Sequence, residues 1–403
     1  MAEKELVTFF EGFLKKEPLF LHKQALQGQY IPETISHRDV QIKQVANILA
    51  PCLRLEKPSN LFLYGKTGSG KTLTIKYTTN EMKGIAKQKN IPLTIIYLNC
   101  KLKKVADTEY RLIAQLAREF GKNIPSTGLP TDEVYKIFFN TLDRERQLVI
   151  LILDEVDQLV KKTGDEILYN LTRMNEELKN SQISLIGVSN DLTFIDNLDP
   201  RVRSSLSEEE LVFPPYNALQ LQEILKQRAS AAFKENTLDE GLIEKCAAYA
   251  AREHGDARRA LELLRVAGEV AERGSSVKVK MGHLDEAEEK IEKDRVLDLV
   301  LTQPKQFQAV LYAIILVATK KDSSIFTGEV YDIYRDVCLR TGLRPLTQRR
   351  ISDVIAEFDM FGIINIKVIS KGRYGRTREI ALSTPTSMIP KIKEILEEGL
   401  SLS

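Results

Sequence analysis

Short apolar runs alternate with helix-length segments along the first half of the chain, from about residue 35 to 212. The runs are LFLY (61–64), LTIIYLN (93–99), LVILILD (148–154) and ISLIGVSN (183–190). Continuous apolar strands that are separated by helices are typical of a parallel sheet covered on both faces. The pattern therefore predicts an α/β core built around a parallel sheet.

The pattern changes twice further along the chain. FPPY at 213–216 interrupts the alternation, and the sequence then reads as helices only up to about residue 295. The last section begins with helical periods and then contains two strand-like runs, IINIKVI and REIAL. We therefore predict an N-terminal extension (1–27), an α/β domain (28–212), an all-helical domain (213–295) and a C-terminal domain (296–403).

Composition adds a few constraints. At 403 residues the chain is too long for one core, and its net charge of +2 means that polyanion binding would depend on local basic patches. The four cysteines are scattered without a C-x-x-C pair, which suits a reducing cytosol rather than disulfides or a zinc site. MAEKELVTFF lacks the basic start of a signal peptide, and AIILVA is too short to span a membrane. We expect a cytoplasmic protein with no membrane partner.

A glycine-rich segment follows the first apolar run. Gly65-Lys66-Thr67-Gly68-Ser69-Gly70-Lys71-Thr72 fits G-x-x-x-x-G-K-S/T, between a strand pattern and a helical pattern. The glycines let successive backbone N–H groups face phosphate oxygens, and the helix N-terminus adds positive potential. Lys71 would neutralise the β- and γ-phosphates, and the Thr72 hydroxyl would bind Mg²⁺. The alternative is a glycine-rich turn without a ligand, which the strand–loop–helix context disfavours.

Two acids end the third apolar run. Asp154 lies at the carboxyl edge of the predicted sheet, beside the phosphate loop, where it would hold Mg²⁺ through water. The adjacent Glu155 would polarise an attacking water. Two acids after a strand are by themselves more often a helix N-cap, but the preceding phosphate loop favours catalysis. Asp157 is expected to be structural.

Two further polar residues are candidates for the same site. Asn190 closes the fourth apolar run, where its amide would orient water or contact the γ-phosphate; a capping Asn is the alternative. Arg258 and Arg259 follow Gly255-Asp256 in the first turn of a predicted helix. Because a cation is unfavourable at a helix N-terminus, an anionic partner explains this position, and we assign Arg258 to the nucleotide. A surface salt bridge is the alternative.

These motifs together resemble the AAA+ ATPases, with Asn190 as sensor 1 and Arg258 as sensor 2. Four stretches narrow the resemblance to archaeal Orc/Cdc-type replication initiators: QYIPETISHRDVQIKQV (29–45), LNC after the second strand, LDPRVRSSLSEEELVFPPY (198–216) and GDARRALELLR. The order of the domains also fits, with an ATPase base, a helical lid and a winged helix. The resemblance covers nearly the whole chain from about residue 28.

The resemblance implies binding of ATP or ADP with Mg²⁺ held by Thr72 and Asp154, and a slow ATPase that acts as a single-turnover switch. It places the adenine pocket in 29–45. The implied nucleotide contacts outside the phosphate loop are Tyr30, Ile31, Pro32, Arg38, Tyr216, Arg228 and Arg258. The segment GKNIPSTGLPTDEVY (121–135) falls where the family carries a DNA-contacting helix. The implied partners are double-stranded origin DNA, a replicative helicase and other initiator subunits, at the nucleoid.

One departure from the AAA+ pattern concerns the arginine finger. Many members carry it directly after a serine, at the position where this chain has Ser205 instead of an arginine. Arg201 and Arg203 are the available substitutes, and hydrolysis in an oligomer would be weak without a finger. The alternative is that both arginines pair with the acids 208–210.

The C-terminal section carries the pattern of a winged helix. Ile351, Val354, Ile355 and Phe358 recur at i, i+3, i+4 and i+7, which predicts a helix with one buried face. Two strand-like runs follow, joined by a basic loop. In a winged helix the helix enters the major groove and the loop reaches the backbone or an adjoining groove. The residues expected to contact DNA are Thr347, Gln348, Arg349, Arg350, Lys371, Gly372, Arg373, Tyr374, Arg376 and Arg378.

For the basic loop between the two strand-like runs, the alternative is a solvated surface that binds no DNA. Two other functions of the whole chain also remain open. A clamp-loader ATPase shares the sensor residues but usually ends in a helical collar. In a signalling or transcriptional switch the winged helix would be a packing module, and nucleotide would gate oligomerisation. Clamp-stimulated turnover would favour the first alternative, and a basic loop without effect on DNA affinity would favour the second.

Overall fold

The computed structural model describes residues 10–11, 17–101, 108–125, 128–206, 208–252, 254–320, 325–370, 376–384 and 388–402. The chain divides into two compact units, Met1–Leu284 and Asp285–Ser403. The first unit contains the α/β and all-helical regions together. Helix α11 crosses the boundary, so the predicted division at 295/296 falls inside a helix.

The first unit is built on a five-stranded parallel sheet with the order β2-β3-β4-β1-β5. Its strands are β1 (Asn60–Tyr64), β2 (Leu93–Asn99), β3 (Gln147–Asp154), β4 (Ser181–Ser189) and β5 (Glu208–Val212). Asn99 on β2 pairs with Asp154 on β3, and Tyr64 on β1 pairs with Ser189 on β4. The register therefore brings the carboxyl ends of four strands to one edge.

Residues on these strands alternate between two apolar clusters, one on each face of the sheet. Leu61 and Leu63 pack on one face, whereas Phe62 and Tyr64 pack on the other. The flanking helices are α1 (Asp39–Leu49), α2 (Lys71–Lys89), α3 (Glu109–Glu119), α4 (Thr131–Leu142), α5 (Val156–Thr163), α6 (Glu166–Glu177) and α7 (Pro200–Leu206). Both faces are covered, which explains why the strands read as continuous apolar runs.

Four helices follow the sheet, as the sequence predicts: α8 (Ala218–Ala232), α9 (Leu242–Arg252), α10 (Ala257–Arg273) and α11 (Met281–Thr302). The N-terminal residues pack onto this helical region. The rings of Phe20 and Phe233 stack with centroids 4.5 Å apart, and Lys234 N–H donates to Leu19 O at 3.0 Å. The described end of the N-terminal extension is therefore part of the packed structure, which nothing in its local pattern indicates.

The second unit contains α12 (Lys305–Lys320), β6 (Ile325–Phe326), α13 (Thr327–Thr341), α14 (Gln348–Met360), β7 (Ile364–Ser370), β8 (Arg376–Leu382) and α15 (Ile389–Leu400). β7 and β8 form an antiparallel hairpin, and the short β6 pairs with β8. Helix α14 buries Ile351, Val354, Ile355 and Phe358 completely, so the predicted apolar stripe is confirmed. Helices followed by a hairpin give the predicted winged-helix order.

Two strands were not predicted. β5 has the sequence EEELV and pairs with β1 alone, so it lies at the edge of the sheet. Charged residues are common on edge strands because they oppose edge-to-edge pairing, but they hide the apolar pattern. The strand β6 has only two residues, too few to give any period. In the part of the chain that the structure describes, no helix is long and apolar enough to cross a membrane.

A matched pair of glycine substitutions tests the packing of the sheet. A Cβ at Gly187 would lie 2.3 Å from the Phe62 ring. Gly84 lies at an exposed position of α2, and a Cβ there would meet nothing within 4 Å. Gly187→Ala should lower the free energy of unfolding by about 1–3 kcal/mol through overpacking. Gly84→Ala should raise it by about 0.5–1 kcal/mol because alanine favours the helix. Chemical denaturation measures both, and equal effects of the two variants would contradict the packing.

Candidate nucleotide site and nucleic-acid face

The phosphate loop connects β1 to α2, as predicted. Gly68 and Gly70 have φ angles of 72° and 91°, which side chains rarely adopt. A Cβ at Gly70 would also lie 2.7 Å from the Tyr216 hydroxyl oxygen, and a Cβ at Gly68 would clash with Asp256. The loop is thus a cradle that only glycine can form at these positions, with the N-terminus of α2 behind it.

Lys71 is buried at the base of this loop. Its Nζ donates to the carbonyl oxygens of Gly65 (2.7 Å) and Lys66 (2.9 Å) and to Asn190 Oδ1 (3.0 Å). None of these three partners is a charged group. Burial lowers the pKa of Lys71 to about 8, and the nearby Asp154 offsets only part of that effect. A buried ammonium group without an anion in contact is favourable chiefly when an anion binds beside it.

Asp154 lies at the end of β3 and is almost fully buried. Its Oδ2 accepts hydrogen bonds from the Thr72 hydroxyl (3.0 Å) and the Tyr97 hydroxyl (2.5 Å). Its Oδ1 accepts from the Glu155 backbone N–H at 3.0 Å. A carboxylate beside a threonine hydroxyl is a donor set that suits Mg²⁺, so the predicted pairing of Thr72 with Asp154 is present in the fold.

Tyr97 was missed by the sequence reasoning. It lies on β2, which neighbours β3. The centroid of its ring lies 4.0 Å from Lys76 Nζ. Burial raises the pKa of the Tyr97 hydroxyl, and the hydrogen bond to Asp154 raises it further. The hydroxyl therefore stays protonated and keeps donating to the carboxylate. A tyrosine inside an apolar strand has no local feature that distinguishes this role from core packing.

Glu155 has an unusual backbone conformation, with φ 57° and ψ 45° at the N-terminus of α5. A glutamate in the left-handed region costs free energy, and such residues concentrate at functional sites. Lys101 Nζ lies 3.9 Å from its Oε2 in an ion pair. Asp157, by contrast, is buried, and its Oδ1 accepts from the Ser189 hydroxyl at 3.3 Å. This contact is consistent with the structural role expected for Asp157.

Arg258 reaches the same site from the helical region. Asp256 caps α10 by accepting from the backbone N–H groups of Arg258 and Arg259, at 2.8 and 3.3 Å. The Ala257 N–H donates to the Gly68 carbonyl at 3.3 Å, so α10 begins directly on the phosphate loop. Within the described residues the Arg258 guanidinium takes part in no ion pair, and it lines the cavity described next. The surface-salt-bridge alternative is therefore not favoured.

These groups surround one cavity of about 410 Å³. The predicted residues that line it are Ile31, Pro32, Thr67, Gly68, Gly70, Lys71, Thr72, Asp154, Glu155, Asn190, Tyr216, Arg228 and Arg258. The lining residues that were not predicted are Gly28, Gln29, Thr34, Ile35, Ser36, Leu73, Lys76, Tyr97, Asn99, Ile224, Gln227, Ala257 and Leu261. Gln29, Thr34, Ile35 and Ser36 lie in the 29–45 stretch that the resemblance implies, and Gly28 adjoins it. Leu73 and Ala257 adjoin predicted residues, whereas Tyr97 and Asn99 reach the cavity only because β2 packs beside β3.

Several predicted contacts do not line the cavity: Tyr30, Arg38, Gly65, Lys66 and Ser69. Arg38 is the clearest example, because it is almost fully buried. Its Nε donates to the Ser69 carbonyl at 2.9 Å and its Nη2 to the Pro214 carbonyl at 2.6 Å. Its guanidinium also lies 3.8 Å from the Tyr216 ring centroid. Arg38 therefore supports the phosphate loop, and its contact with the nucleotide stays a prediction.

Arg228 holds the segment in front of the cavity. Its Nη1 donates to the Ala25 carbonyl at 3.1 Å and its Nη2 to the Tyr30 carbonyl at 3.2 Å. The Tyr30 ring lies 4.8 Å from its guanidinium, so Tyr30 contacts Arg228 although it does not line the cavity. Gln227 adds a hydrogen bond of 2.6 Å to the Thr34 hydroxyl. Helix α8 thereby fixes the residues that form one wall of the site.

The two finger candidates lie on α7, away from the cavity. Arg201 pairs with Asp199 (Nε to Oδ1, 3.1 Å) and Arg203 pairs with Asp196 (3.3 Å). Both pairs are solvent-exposed, and such pairs stabilise little. Among the described residues, the ion pairs of the two arginines are with Asp199 and Asp196 and not with the acids 208–210. A finger role for either arginine stays a prediction.

The C-terminal unit exposes Thr347, Gln348, Arg349 and Arg350 at the start of α14. The Thr347 hydroxyl caps the helix by accepting from Arg350 N–H at 3.4 Å. Arg350 also lies 3.7 Å from Asp353 in an exposed pair. Lys371, Gly372, Arg373 and Tyr374 lie outside the described residues, as does the side chain of Arg376.

Arg378 has a structural partner. Its Nη1 donates to the Ser352 carbonyl at 2.6 Å, and thereby ties β8 to α14. This contact holds the hairpin against the helix. Of the basic residues predicted to contact DNA whose side chains are described, Arg349 and Arg350 are therefore the clearest candidates.

Three family descriptions match the chain. "AAA domain" matches residues 54–195, "Cdc6 AAA+ ATPase-type lid domain" matches 222–289, and "CDC6, C terminal winged helix domain" matches 298–391. The matched segments fall in the α/β, helical and C-terminal regions respectively.

Close relatives agree with these matches. The chain is 52% identical over 402 residues to an ORC1-type DNA replication protein of Pyrococcus furiosus, across 99% of this chain and 94% of that protein. It is 49% identical over 391 residues to ORC1-type DNA replication protein 1 of Methanosarcina mazei, across 96% and 94% of the two chains.

Solved structures are similar over nearly the same length. The Aeropyrum pernix ORC1 protein in complex with DNA superposes with a TM-score of 0.82 at 42% identity, covering 95% of this chain and 98% of that chain. Cdc6p of Pyrobaculum aerophilum has the same fold, with a TM-score of 0.60 at 20% identity, over 95% and 99% of the two chains.

The lowered pKa of Lys71 predicts that phosphate binding depends on pH. Only the protonated ammonium attracts phosphate, and in the free site it loses its proton as pH rises through about 8. Because bound phosphate raises that pKa, affinity for a nucleoside triphosphate should fall by up to about tenfold per pH unit above this value. Calorimetric titrations from about pH 7 to about pH 9.5 would measure it, spanning the shifted and ordinary lysine ranges.

Two controls separate this effect from a general loss of structure. Adenosine, which lacks phosphate, should bind with the same affinity across the series. Lys71→Arg keeps a charge at every pH, so any binding that it retains should not vary. A flat profile for the wild-type chain would show that the ammonium stays charged in the free site.

Proposed function

The chain belongs to the family of ORC1-type DNA replication proteins, and from this premise we propose that it is a nucleotide-switched initiator acting on duplex origin DNA. As a member of this AAA+ family it is a nucleotide-binding ATPase and a DNA-binding protein of replication initiation. The observation that carries the nucleotide part is the convergence of Lys71, Asp154, Asn190 and Arg258 on one cavity. The exposed basic start of α14 supports the DNA part.

The nucleotide is ATP or ADP. The loop from Gly65 to Thr72 and the buried Lys71 hold its phosphates, while the base lies toward Ile31 and Pro32. Thr72 and Asp154 would hold Mg²⁺, which would neutralise phosphate charge. Tyr97 positions Asp154 by donating to the carboxylate oxygen that also accepts from Thr72. Arg258 places a positive charge at the same cavity from the helical region.

Hydrolysis requires a water activated next to the terminal phosphate. Glu155 orients and polarises that water from its left-handed turn, and the Asn190 amide, 3.0 Å from Lys71 Nζ, helps to place it. Within the described residues the arginines that line the cavity are Arg228 and Arg258, and Arg228 is committed to two carbonyls. Few positive side chains would then stabilise the negative charge that develops in the transition state. Hydrolysis should therefore be slow, as in a single-turnover switch. Arg201 or Arg203 would act only from a neighbouring subunit.

DNA is held by the winged helix. The start of α14, with Gln348, Arg349 and Arg350, enters the major groove and supplies sequence readout. The loop 371–375 and Arg376 supply phosphate contacts and most of the affinity. The segment 121–135, whose described part includes the start of α4, is a second DNA contact. Support comes from the similar Aeropyrum pernix ORC1 protein, whose solved structure contains DNA.

Further parts of the proposal concern organisation and partners. The functional divisions are the base (28–212), the lid (213–295) and the winged helix (296–403), although the base and the lid up to residue 284 form one compact unit. A replicative helicase and other initiator subunits are the protein partners, and DNA binding places the protein at the nucleoid.

The winged-helix match disfavours a clamp loader, which would end in a helical collar. Family membership likewise disfavours a signalling switch.

A charge-removal experiment tests the DNA contact. Arg349→Ala/Arg350→Ala should weaken binding to duplex DNA and make the plot of log affinity against log salt shallower by roughly 1 to 2 units, because up to two phosphate contacts are lost. Fluorescence anisotropy across a salt series measures this. Lys391→Ala/Lys393→Ala removes the same charge from the solvent-accessible side of α15 in the same unit and should change neither quantity. Equal behaviour of the two double variants would show that α14 is not the contact.

A second substitution tests the hydrolytic role of Glu155. Glu155→Gln keeps the shape of the side chain but removes its ability to polarise water, so single-turnover hydrolysis should slow by roughly a hundredfold or more. ATP affinity should remain within about twofold, because the phosphates are bound elsewhere. Glu166→Gln, an exposed change at the start of α6, is the control. A Glu155→Gln variant that hydrolyses ATP at the wild-type rate would exclude this residue from catalysis.

A further inference from the structure

The turn between α13 and α14 is held by polar side chains, one of which is fully buried. Tyr334 on α13 is fully buried, and its hydroxyl donates to Gln306 Oε1 at 2.5 Å. The same hydroxyl accepts from the Leu346 backbone N–H at 2.9 Å. Gln306 then donates from Nε2 to the Arg344 carbonyl at 2.9 Å. One tyrosine and one glutamine thus satisfy a donor and an acceptor of a turn that has no regular structure.

A second tyrosine extends this arrangement. The Tyr331 hydroxyl donates to the Leu346 carbonyl at 3.3 Å, and its ring lies 6.2 Å from that of Tyr334. Both polar backbone groups of Leu346 are therefore bound by side chains from α13. Leu346 immediately precedes Thr347, which caps α14. The hydrogen bonds consequently end one residue before the first turn of the helix.

That first turn is where the exposed Gln348 and Arg349 lie. The apolar stripe of α14 fixes the rotation of the helix about its own axis, because Ile351, Val354, Ile355 and Phe358 are fully buried in the core. The stripe begins only at Ile351, so the cap and the first residues depend on the preceding turn. Hydrogen bonds to base edges tolerate little displacement, and a site held on a fixed turn is more selective than one on a loose turn.

We propose that Tyr334 and Gln306 are specificity-determining positioning residues, which hold the start of α14 in the orientation needed to read base edges without touching DNA themselves. This inference rests on the proposed function, DNA binding through α14. Burial raises the pKa of the Tyr334 hydroxyl, so it remains a donor throughout the range in which the protein binds DNA. Both residues belong to the same compact unit as α14.

Tyr334→Phe tests the inference because it removes only the hydroxyl. The probe is a pool of duplexes randomised over about 20 base pairs, from which bound sequences are selected and counted. The wild-type chain should enrich a defined sequence. Tyr334→Phe should bind that sequence about tenfold more weakly, the scale of one lost base contact, while its affinity for unselected duplex changes less than about twofold. Its salt dependence should match wild type, because no phosphate contact is lost.

Tyr312→Phe is the matched control. Tyr312 is also buried in this unit, and its hydroxyl donates to Glu397 on α15 at 2.8 Å, away from the turn. It should retain wild-type selectivity even if it lowers the melting temperature by a similar amount. Gln306→Met removes the acceptor while leaving Tyr334 in place, and should reproduce the loss of selectivity if Tyr334→Phe is too unstable to assay.

Three results would overturn the inference. If Tyr334→Phe weakens selected and unselected duplexes equally, the hydroxyl supports the fold and nothing more. If it selects the wild-type sequence as sharply as Tyr312→Phe does, the turn is held by other contacts. If the wild-type chain binds DNA but enriches no sequence, there is no base readout for the turn to position. Failure of the wild-type chain to bind any duplex would instead overturn the proposed DNA contact, and this inference with it.

Discussion

The phosphate loop is packed so closely against two other segments that no side chain fits between them. A Cβ at Gly68 would lie 1.7 Å from Asp256 Oδ1, and a Cβ at Gly70 would lie 2.7 Å from the Tyr216 hydroxyl. Asp256 is also the cap of α10, the helix that carries Arg258. Backbone contact at the loop therefore fixes both the phosphate cradle and the position of a charged group from the helical region. The rest of the nucleotide site follows from this close approach.

The electrostatics of the site favour a polyanionic ligand. Lys71 is buried among uncharged oxygen acceptors, and its lowered pKa reflects the loss of hydration. A buried cation gains most when an anion replaces the missing water. Arg38 illustrates the opposite case, because its guanidinium is buried but bound by backbone carbonyls. Two neighbouring cations thus have different positions: Lys71 lines the cavity, and Arg38 supports the phosphate loop.

In the second unit, the residues that hold α14 differ from those proposed to contact DNA. The apolar stripe of α14 and the Arg378 contact to Ser352 hold the helix and hairpin together. Tyr334 and Gln306 hold the turn that leads into the helix. The exposed residues at its start have few structural contacts and remain available to a ligand. This separation allows contact residues to change without loss of the fold.

Some features of this protein follow from short stretches of sequence. The phosphate loop, the Asp154–Glu155 pair and the apolar stripe of α14 each show a local period or motif, because the residues that act together are neighbours on one strand, loop or helix. Tyr97, the support role of Arg38 and the Tyr334 network carry no such signal. Each depends on segments that are distant along the chain and adjacent only after packing, through strand order or a buried turn. The local pattern of the sequence determined the helices, the strands and the chemical type of the site. Tertiary packing decided which side chains line the cavity and which hold those side chains in place.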